Sequence, residues 1–255
     1  MGRARVIAVA NQKGGVGKTT TAINISASLA VAEKSVLLVD SDPQGNSTSG
    51  VGIDRDSLER SIYQFFTGES SLPDVIVPTS MPFLKLVPSR VELFGAEVEL
   101  VGRPGRETIL KEGLAPLLDS YDYIIIDCPP ALGLLTINAL TAAGSVLVPV
   151  QCEYYALEGL SQLLNTLTLV RESLNPGLGL EGILLTMHDI RNNLSRQVED
   201  EIRGHFKEKV YKTMIPRNVS ISEAPSFGKP IIAYDIRSKG AQSYLSLARE
   251  VLGDV

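Results

Sequence analysis

The stretch Asn11-Gln12-Lys13-Gly14-Gly15-Val16-Gly17-Lys18-Thr19-Thr20 limits what this chain can fold into more than any other. The apolar run at 6–10 before it reads as a buried strand, and apolar residues recur at helical spacing from 21 to 34. A glycine-rich turn between strand and helix is the setting of a phosphate-binding loop. Gly14, Gly15 and Gly17 are expected to take positive φ and aim successive N–H groups into one concavity. A helix starting near Lys18 adds the positive end of its dipole. Lys18 then supplies a full charge for β- and γ-phosphates, and the Thr19 hydroxyl is placed to ligate Mg²⁺. The ordinary loop pattern wants glycine five places before Gly17, where Gln12 stands, and a second lysine, Lys13, follows it. On residues alone, Lys13 is either a functional cation or a solvated loop lysine.

Two aspartates follow the next apolar run, in Leu37-Leu38-Val39-Asp40-Ser41-Asp42-Pro43-Gln44-Gly45. Two places apart past a strand end, Asp40 and Asp42 point the same way, toward the loop. One can hold a metal-bound water while the other orients an attacking water. The plainer alternative is a turn, since Asp-Pro and Gln-Gly both form turns readily. Further on, Tyr123-Ile124-Ile125-Ile126-Asp127-Cys128-Pro129-Pro130 delivers a third carboxylate, Asp127, at a strand end, where it would bind Mg²⁺ directly or through water.

Strands are expected at 5–10, 35–39, 123–126, 145–150 and 182–186, with a weaker sixth at 210–215 and a peripheral hairpin at 75–87. Helices are expected at 19–32, 106–118, 134–143, 157–174, 194–205 and 241–252. The alternation predicts an α/β fold: a mostly parallel twisted sheet flanked by helices on both faces, in one domain over 1–255. Hydrophobic residues at 44% suffice for a core, and the absence of Trp suits Val/Ile/Leu-rich parallel strands. Cys128 and Cys152 have no C-x-x-C partner and read as reduced buried thiols, a disulfide or metal pair being the alternative. With no leader and no apolar run of spanning length, a soluble cytoplasmic protein is expected.

The loop x-Lys-Gly-Gly-x-Gly-Lys-Thr, Asp-x-Asp-Pro-Gln-Gly, Asp-x-Pro-Pro and Ile215-Pro216-Arg217-Asn218-Val219 stand in one chain. This combination resembles the ParA/MinD ATPases with a deviant Walker A loop, and among them the small chromosomal, Soj-type partition ATPases. The resemblance implies ATP and Mg²⁺ as cofactors. It places the nucleotide against Lys13, Gly14, Gly15, Val16, Gly17, Lys18, Thr19 and Thr20, with the base near Pro216 and the Asn218 side chain. It implies that Lys13 reaches the phosphates bound by a partner subunit, that Asp42 activates water, and that Asp40 supports the metal site with Thr19 and Asp127. The segment 129–133 resembles the switch loop that registers the γ-phosphate.

It further implies an ATP-dependent homodimer, sequence-independent DNA binding on the nucleoid, and release by a ParB-type centromere-binding protein. Segment 188–240 carries ten basic residues against seven acidic ones, on a chain of formal net charge −5. A basic third on an acidic protein is the footprint of phosphate-backbone contact, and an ordinary mixed surface is its alternative. Arg191 matches a DNA-binding arginine of the family, while Ser220 stands where a second is frequent. Arg196, Arg217 and Lys229 are the further candidates. Lys239, Arg249, Glu250 and Asp254 balance one another near the end, so a membrane-binding helix of MinD type is not expected. A related positioning ATPase for a protein cargo, or a metabolic enzyme of the dethiobiotin-synthetase type, are the alternative readings.

Overall fold

A computed structural model describes residues 2–153 and 156–253. Seven strands form one sheet among these residues: β1 (Arg5–Val9), β2 (Val36–Asp40), β3 (Val77–Pro78), β4 (Leu84–Val87), β5 (Tyr123–Asp127), β6 (Ser145–Gln151) and β7 (Gly179–Thr186). Their order is β3-β4-β2-β5-β1-β6-β7, and every pairing is parallel except that of β3 with β4. The described helices are α1 (Lys18–Val31), α2 (Asn46–Gly50), α3 (Ile62–Thr67), α4 (Leu93–Glu99), α5 (Ile109–Leu114), α6 (Leu134–Ala142), α7 (Ala156–Ser173), α8 (Asn193–Phe206), α9 (Val219–Glu223), α10 (Ile231–Tyr234) and α11 (Lys239–Leu252). The expected doubly covered parallel sheet is what forms.

Each central strand is apolar throughout because its alternating side chains serve two cores. Val6, Ala8, Leu37, Val39, Ile124 and Ile126 lie in one, together with Ile62, Leu93, Leu110, Leu135, Leu160 and Ile202 from α3 to α8. Ile7, Val9, Val36, Leu38 and Ile125 lie in the other, against Ile25 and Leu29 of α1 and Tyr244 and Leu247 of α11. α1 is buried along almost its whole length because the sheet lies on one side and α11 on the other. The phosphate loop is therefore seated on the least accessible helix of this face.

Three expected elements form differently. The hairpin at 75–87 is antiparallel as expected, but β4 also pairs in parallel with β2, so it extends the main sheet rather than lying beside it. The sixth strand at 210–215 does not form. The segment makes only scattered contacts with β7 and the residues after it: isolated parallel bridges of Ile183 with Val210 and His188 with Pro216, and an Ile215 N–H bond to the Leu185 carbonyl at 2.9 Å. The reason is where the donors go: the N–H groups of Lys212 and Thr213 bond the Glu250 carboxylate at 2.8 and 2.7 Å, and Pro216 has none. The helix expected at 106–118 shortens to α5 because Pro116 opens a 3₁₀ turn at Ala115–Leu117. Cys128 and Cys152 are free and buried. Asp254 lies outside the described residues. No described helix is long and apolar enough to cross a membrane.

Candidate functional site

Strand register assembles the site. Val9 and Asp40 both pair with Asp127, so the carboxyl ends of β1, β2 and β5 stand abreast. Ligands of open parallel sheets sit at this edge. The glycine loop leaves β1 here and is tied down on both sides. Asn11 Nδ2 donates to the Pro149 carbonyl at 2.7 Å, and its Oδ1 accepts from the Lys13 N–H at 3.0 Å. The Thr186 hydroxyl at the end of β7 donates to the Val16 carbonyl at 2.9 Å. Gly15 and Gly17 adopt φ of 74° and 88°, the left-handed region where a Cβ is costly. Gly14 does not, contrary to expectation; a Cβ there would meet nothing within 4 Å, so its backbone faces open space.

The loop closes a cavity of about 330 Å³ lined by Gly14, Gly15, Gly17, Lys18, Thr19, Thr20, Asp42, Gln44, Asn46, Pro130 and Met187. A second cavity, of about 280 Å³, shares Gly17, Thr20 and Met187 with it and is lined by Ile215, Pro216, Arg217, Asn218, Ile221 and Tyr244. Together they offer an N–H-rich, cationic end and a more apolar end, the layout a nucleoside polyphosphate needs. Asn218 has a second task, capping α9 by accepting from the Ile221 N–H at 3.2 Å. Lys18 Nζ donates to the Lys13 carbonyl at 3.1 Å. Burial lowers its pKa, opposed by the nearby carboxylates, Asp127 before Asp42. A desolvated ammonium facing a cradle of N–H groups favours an incoming anion.

The three carboxylates differ in what they have left to offer. Asp40 is spent: its Oδ2 accepts from the Thr48 N–H and hydroxyl, both at 2.7 Å, and its Oδ1 from the Asp42 N–H at 3.2 Å. It clamps the β2–α2 turn from behind. Asp127 is half free: Oδ2 accepts from the Ser47 hydroxyl at 2.7 Å, while Oδ1 is buried without a hydrogen-bond partner. The nearby Thr19 hydroxyl favours its charged form without closing a bond to that oxygen. Burial raises the pKa of both, and their mutual repulsion adds to the rise for Asp127. Such a pair calls for a cation, and the hard oxygens of Asp127 and Thr19 fit Mg²⁺. Asp42 faces the first cavity, with Oδ1 accepting from the Gln44 N–H at 2.9 Å.

Lys13 does not line the cavity above its own loop. Its ammonium lies 2.8 Å from Glu153 just past β6, on the exposed rim. Glu153, Asn11, Ser47, Thr48 and Met187 carry no local sequence signal for the site. Met187 sits at φ 50°, costly for a residue with a Cβ, and lines both cavities. Thr48 joins two elements, because its hydroxyl donates to Asp40 and accepts from the Ser89 N–H at 2.9 Å. Thr48→Val keeps the shape and removes both hydroxyl bonds, leaving the Ser89 N–H without an acceptor and the buried Asp40 carboxylate with one donor fewer. It is expected to destabilise the fold by about 2–4 kcal/mol, whereas Thr48→Ser stays near the parent. Urea midpoints of the two variants test this.

The basic segment is less free than its composition implies. Arg191 is clasped by Asp189, with Nε to Oδ1 and Nη2 to Oδ2 both at 3.0 Å, although its side chain is 86% exposed. Arg203 is committed inward, to Glu199 at 2.9 Å and the Tyr211 carbonyl at 3.2 Å. Arg217 is exposed and close enough to act on Asp189, whose pKa is held down to about 2, first by the Arg191 hydrogen bond. Arg196 leans on Asn193 in the first turn of α8. Lys229 stands on a separate turn, next to Gly228, which packs on Gly52. Arg191, Arg196 and Arg217 thus share the neighbourhood of the loop before α8.

A family described as "AAA domain" matches residues 4–180. The chromosome partitioning protein ParA of Myxococcus xanthus is 58% identical over 248 residues, covering 97% of this chain and 88% of that protein. The sporulation initiation inhibitor protein Soj of Bacillus subtilis is 58% identical over 247 residues, covering 97% and 98%. Among solved structures, a Mycobacterium smegmatis protein described as cobyrinic acid a,c-diamide synthase, with bound ADP and magnesium, is 41% identical with a TM-score of 0.86, covering 98% of this chain and 94% of that one. The cell division ATPase MinD of Pyrococcus furiosus has a TM-score of 0.80 at 25% identity, covering 99% and 100%. A glycine loop seated on α1, carboxylates aligned by strand register and two relatives matched over nearly all of this chain at this identity agree: the chain belongs to the ParA/Soj family of chromosome-partitioning ATPases.

Proposed function

We propose that this chain is an ATP-dependent partition switch: two copies close around two ATP molecules, the pair holds DNA without regard to sequence, and hydrolysis lets go. Lys18 and the N–H groups of Gly15 to Thr20 hold the β- and γ-phosphates, and the second cavity takes the base against Pro216 and Asn218. Thr19 and Asp127 hold Mg²⁺ with Asp40 bracing the turn behind them; the ion, when bound, neutralises charge on the phosphate oxygens. Asp42 orients the attacking water and accepts its proton. Lys13 leaves Glu153 and crosses to the partner's nucleotide, and the open backbone at Gly14 lets the two loops approach.

The observation that carries this reading is the position of Lys13. A lysine inside a phosphate loop that turns away from its own cavity to an exposed ion pair has its task elsewhere. An exposed pair is worth about 0–1 kcal/mol and is given up readily. DNA contacts from Arg191, Arg196, Arg217 and Lys229 are few per copy, so pairing doubles them and makes retention depend on the nucleotide. A ParB-type protein stimulating turnover would release the pair from the nucleoid, within the cytoplasm.

The test is retention on duplex DNA with ATP, ADP or no nucleotide. ATP alone should support it. Arg191→Glu should weaken retention by about a hundredfold, two contacts being reversed per pair, and flatten the salt dependence by about two charges. ATP-driven pairing should be unchanged, because Arg191 touches no residue of the nucleotide cavities. Retention indifferent to nucleotide refutes the switch. The likeness to the Mycobacterium smegmatis protein described as a cobyrinic acid a,c-diamide synthase favours a second reading, a metabolic synthase. Turnover that responds to a carboxylated metabolite and not to DNA would establish that reading instead.

A further inference from the structure

A cavity of about 460 Å³ opens at the amino edge of the sheet, where β1 and β6 begin, opposite the phosphate loop. It shares no lining residue with the two nucleotide cavities. Its volume falls within the range of about 300–1,000 Å³ that small-molecule sites occupy. Ala4, Leu118 and Ala142, half-buried beside the larger core, give it an apolar wall. Thr141, one residue short of the end of α6, also lines it. This threonine is 1% exposed, and its hydroxyl has no hydrogen-bond partner. A helical threonine usually returns its hydroxyl to a carbonyl one turn back. A buried polar atom left alone calls for a partner from outside the chain.

The charges around the cavity say what that partner is. Arg3 and Lys111 line it, both exposed, and no carboxylate does among the described residues. Neither cation has an ion-pair partner among those residues. Arg5 turns away instead, bonding the Val251 carbonyl and Glu181, each at 2.6 Å. The other polar side chains are already engaged. Ser145 donates to Glu181, and Asn175 Nδ2 donates to the Leu140 and Ala143 carbonyls at 2.9 and 2.7 Å. The Asn175 bonds bear on charge, because the carbonyl end of α6 repels anions and two of its carbonyls are thereby covered. A cationic ligand would meet two like charges here, and an anionic one two opposite charges.

We propose that this cavity is a second ligand site, for a small amphipathic carboxylate. The carboxylate accepts from the Thr141 hydroxyl and is neutralised by Lys111 and Arg3. Its hydrocarbon part lies on Ala4, Leu118 and Ala142. A charge-assisted hydrogen bond and two mobile cations fix the head, and the apolar wall takes the tail out of water. The site stands apart from the partition reading, since none of its residues lines a nucleotide cavity.

The probe is octanoate, titrated calorimetrically into the full chain beside octyltrimethylammonium, which has the same alkyl chain and the opposite charge. Octanoate should bind saturably, one per chain, and the cation at least about tenfold more weakly. Diffuse attraction to a chain of formal net charge −5 would favour the cation, so this order identifies a local site. Thr141→Val keeps the shape and should weaken octanoate by about tenfold, and Arg3→Glu with Lys111→Glu by at least as much. Because the Thr141 hydroxyl makes no bond in the free chain, the thermal midpoint of Thr141→Val should match or exceed the parent's. A lowered midpoint would show the hydroxyl satisfied within the fold and overturn the proposal. Equal binding of the cation, parent-like octanoate binding by either variant, or no saturable binding overturns it as well. Loss of nucleotide-dependent DNA retention with octanoate binding intact would count against the partition reading alone.

Discussion

Lys13→Ala is expected to abolish ATP-driven pairing and, with it, turnover. In the free chain the substitution removes only an exposed ion pair with Glu153, worth about 0–1 kcal/mol, so stability and ATP uptake by single copies should be close to the parent. In the pair the loss is counted twice. A charge-assisted hydrogen bond to a phosphate contributes about 1.5–3 kcal/mol, and each pair loses two. That amounts to about 3–6 kcal/mol, or a dissociation constant raised about 10²- to 10⁴-fold. Turnover should fall by two or more orders of magnitude, as it does when a cation supplied across an interface is removed. Sedimentation with ATP and a phosphate-release assay read the two effects, and fluorescent ATP binding is the control. Pairing and turnover that match the parent would reduce Lys13 to a solvated loop residue and remove the basis of the proposed function.

Asp42→Asn is expected to do the reverse: pairing persists and chemistry stops. Asparagine keeps an oxygen for the Gln44 N–H, so the turn after β2 is preserved. It cannot accept the proton of an attacking water, and removing a general base costs about 10²- to 10⁴-fold in rate. The variant should accumulate as an ATP-bound pair that stays on DNA, where the parent releases within its turnover time. A variant that sediments as single copies with ATP would show that Asp42 holds the site together instead of acting on water. Normal phosphate release would remove it from the chemistry altogether.

Both variants touch residues that sequence alone picks out, and the reason is local. The glycine loop, the Asp40–Asp42 pair and Asp127 each sit within a few residues of a β-branched run, and parallel register then brings the three runs abreast. What sequence does not show depends on distant partners. Asn46-Ser47-Thr48-Ser49-Gly50 reads as a polar linker, yet it folds as α2 because Asp40 and Asp127 draw in Thr48 and Ser47. Its hydroxyls are first choices for a turn by propensity, and tertiary contact overrides that preference. The Lys13–Glu153 pair spans 140 residues of chain. The basic excess between 188 and 240 counts Arg203 as available, though it is spent on Glu199 and the Tyr211 carbonyl. The hairpin at 75–87 is legible, but the parallel pairing of its second strand with β2 is not, because that partner lies far away in sequence.

The pairing of Val9 with Asp127 has a consequence for how the protein is made. β1 emerges first from the ribosome but has no neighbour until β5 follows, 118 residues behind in the register of Arg5 with Tyr123. Until then its apolar run is an unpaired ribbon, and the glycine loop beyond it has no floor. Non-local parallel pairing of this sort forms late and exposes sticky edges meanwhile. Nascent chains that end before β5 should consequently be unable to capture ATP.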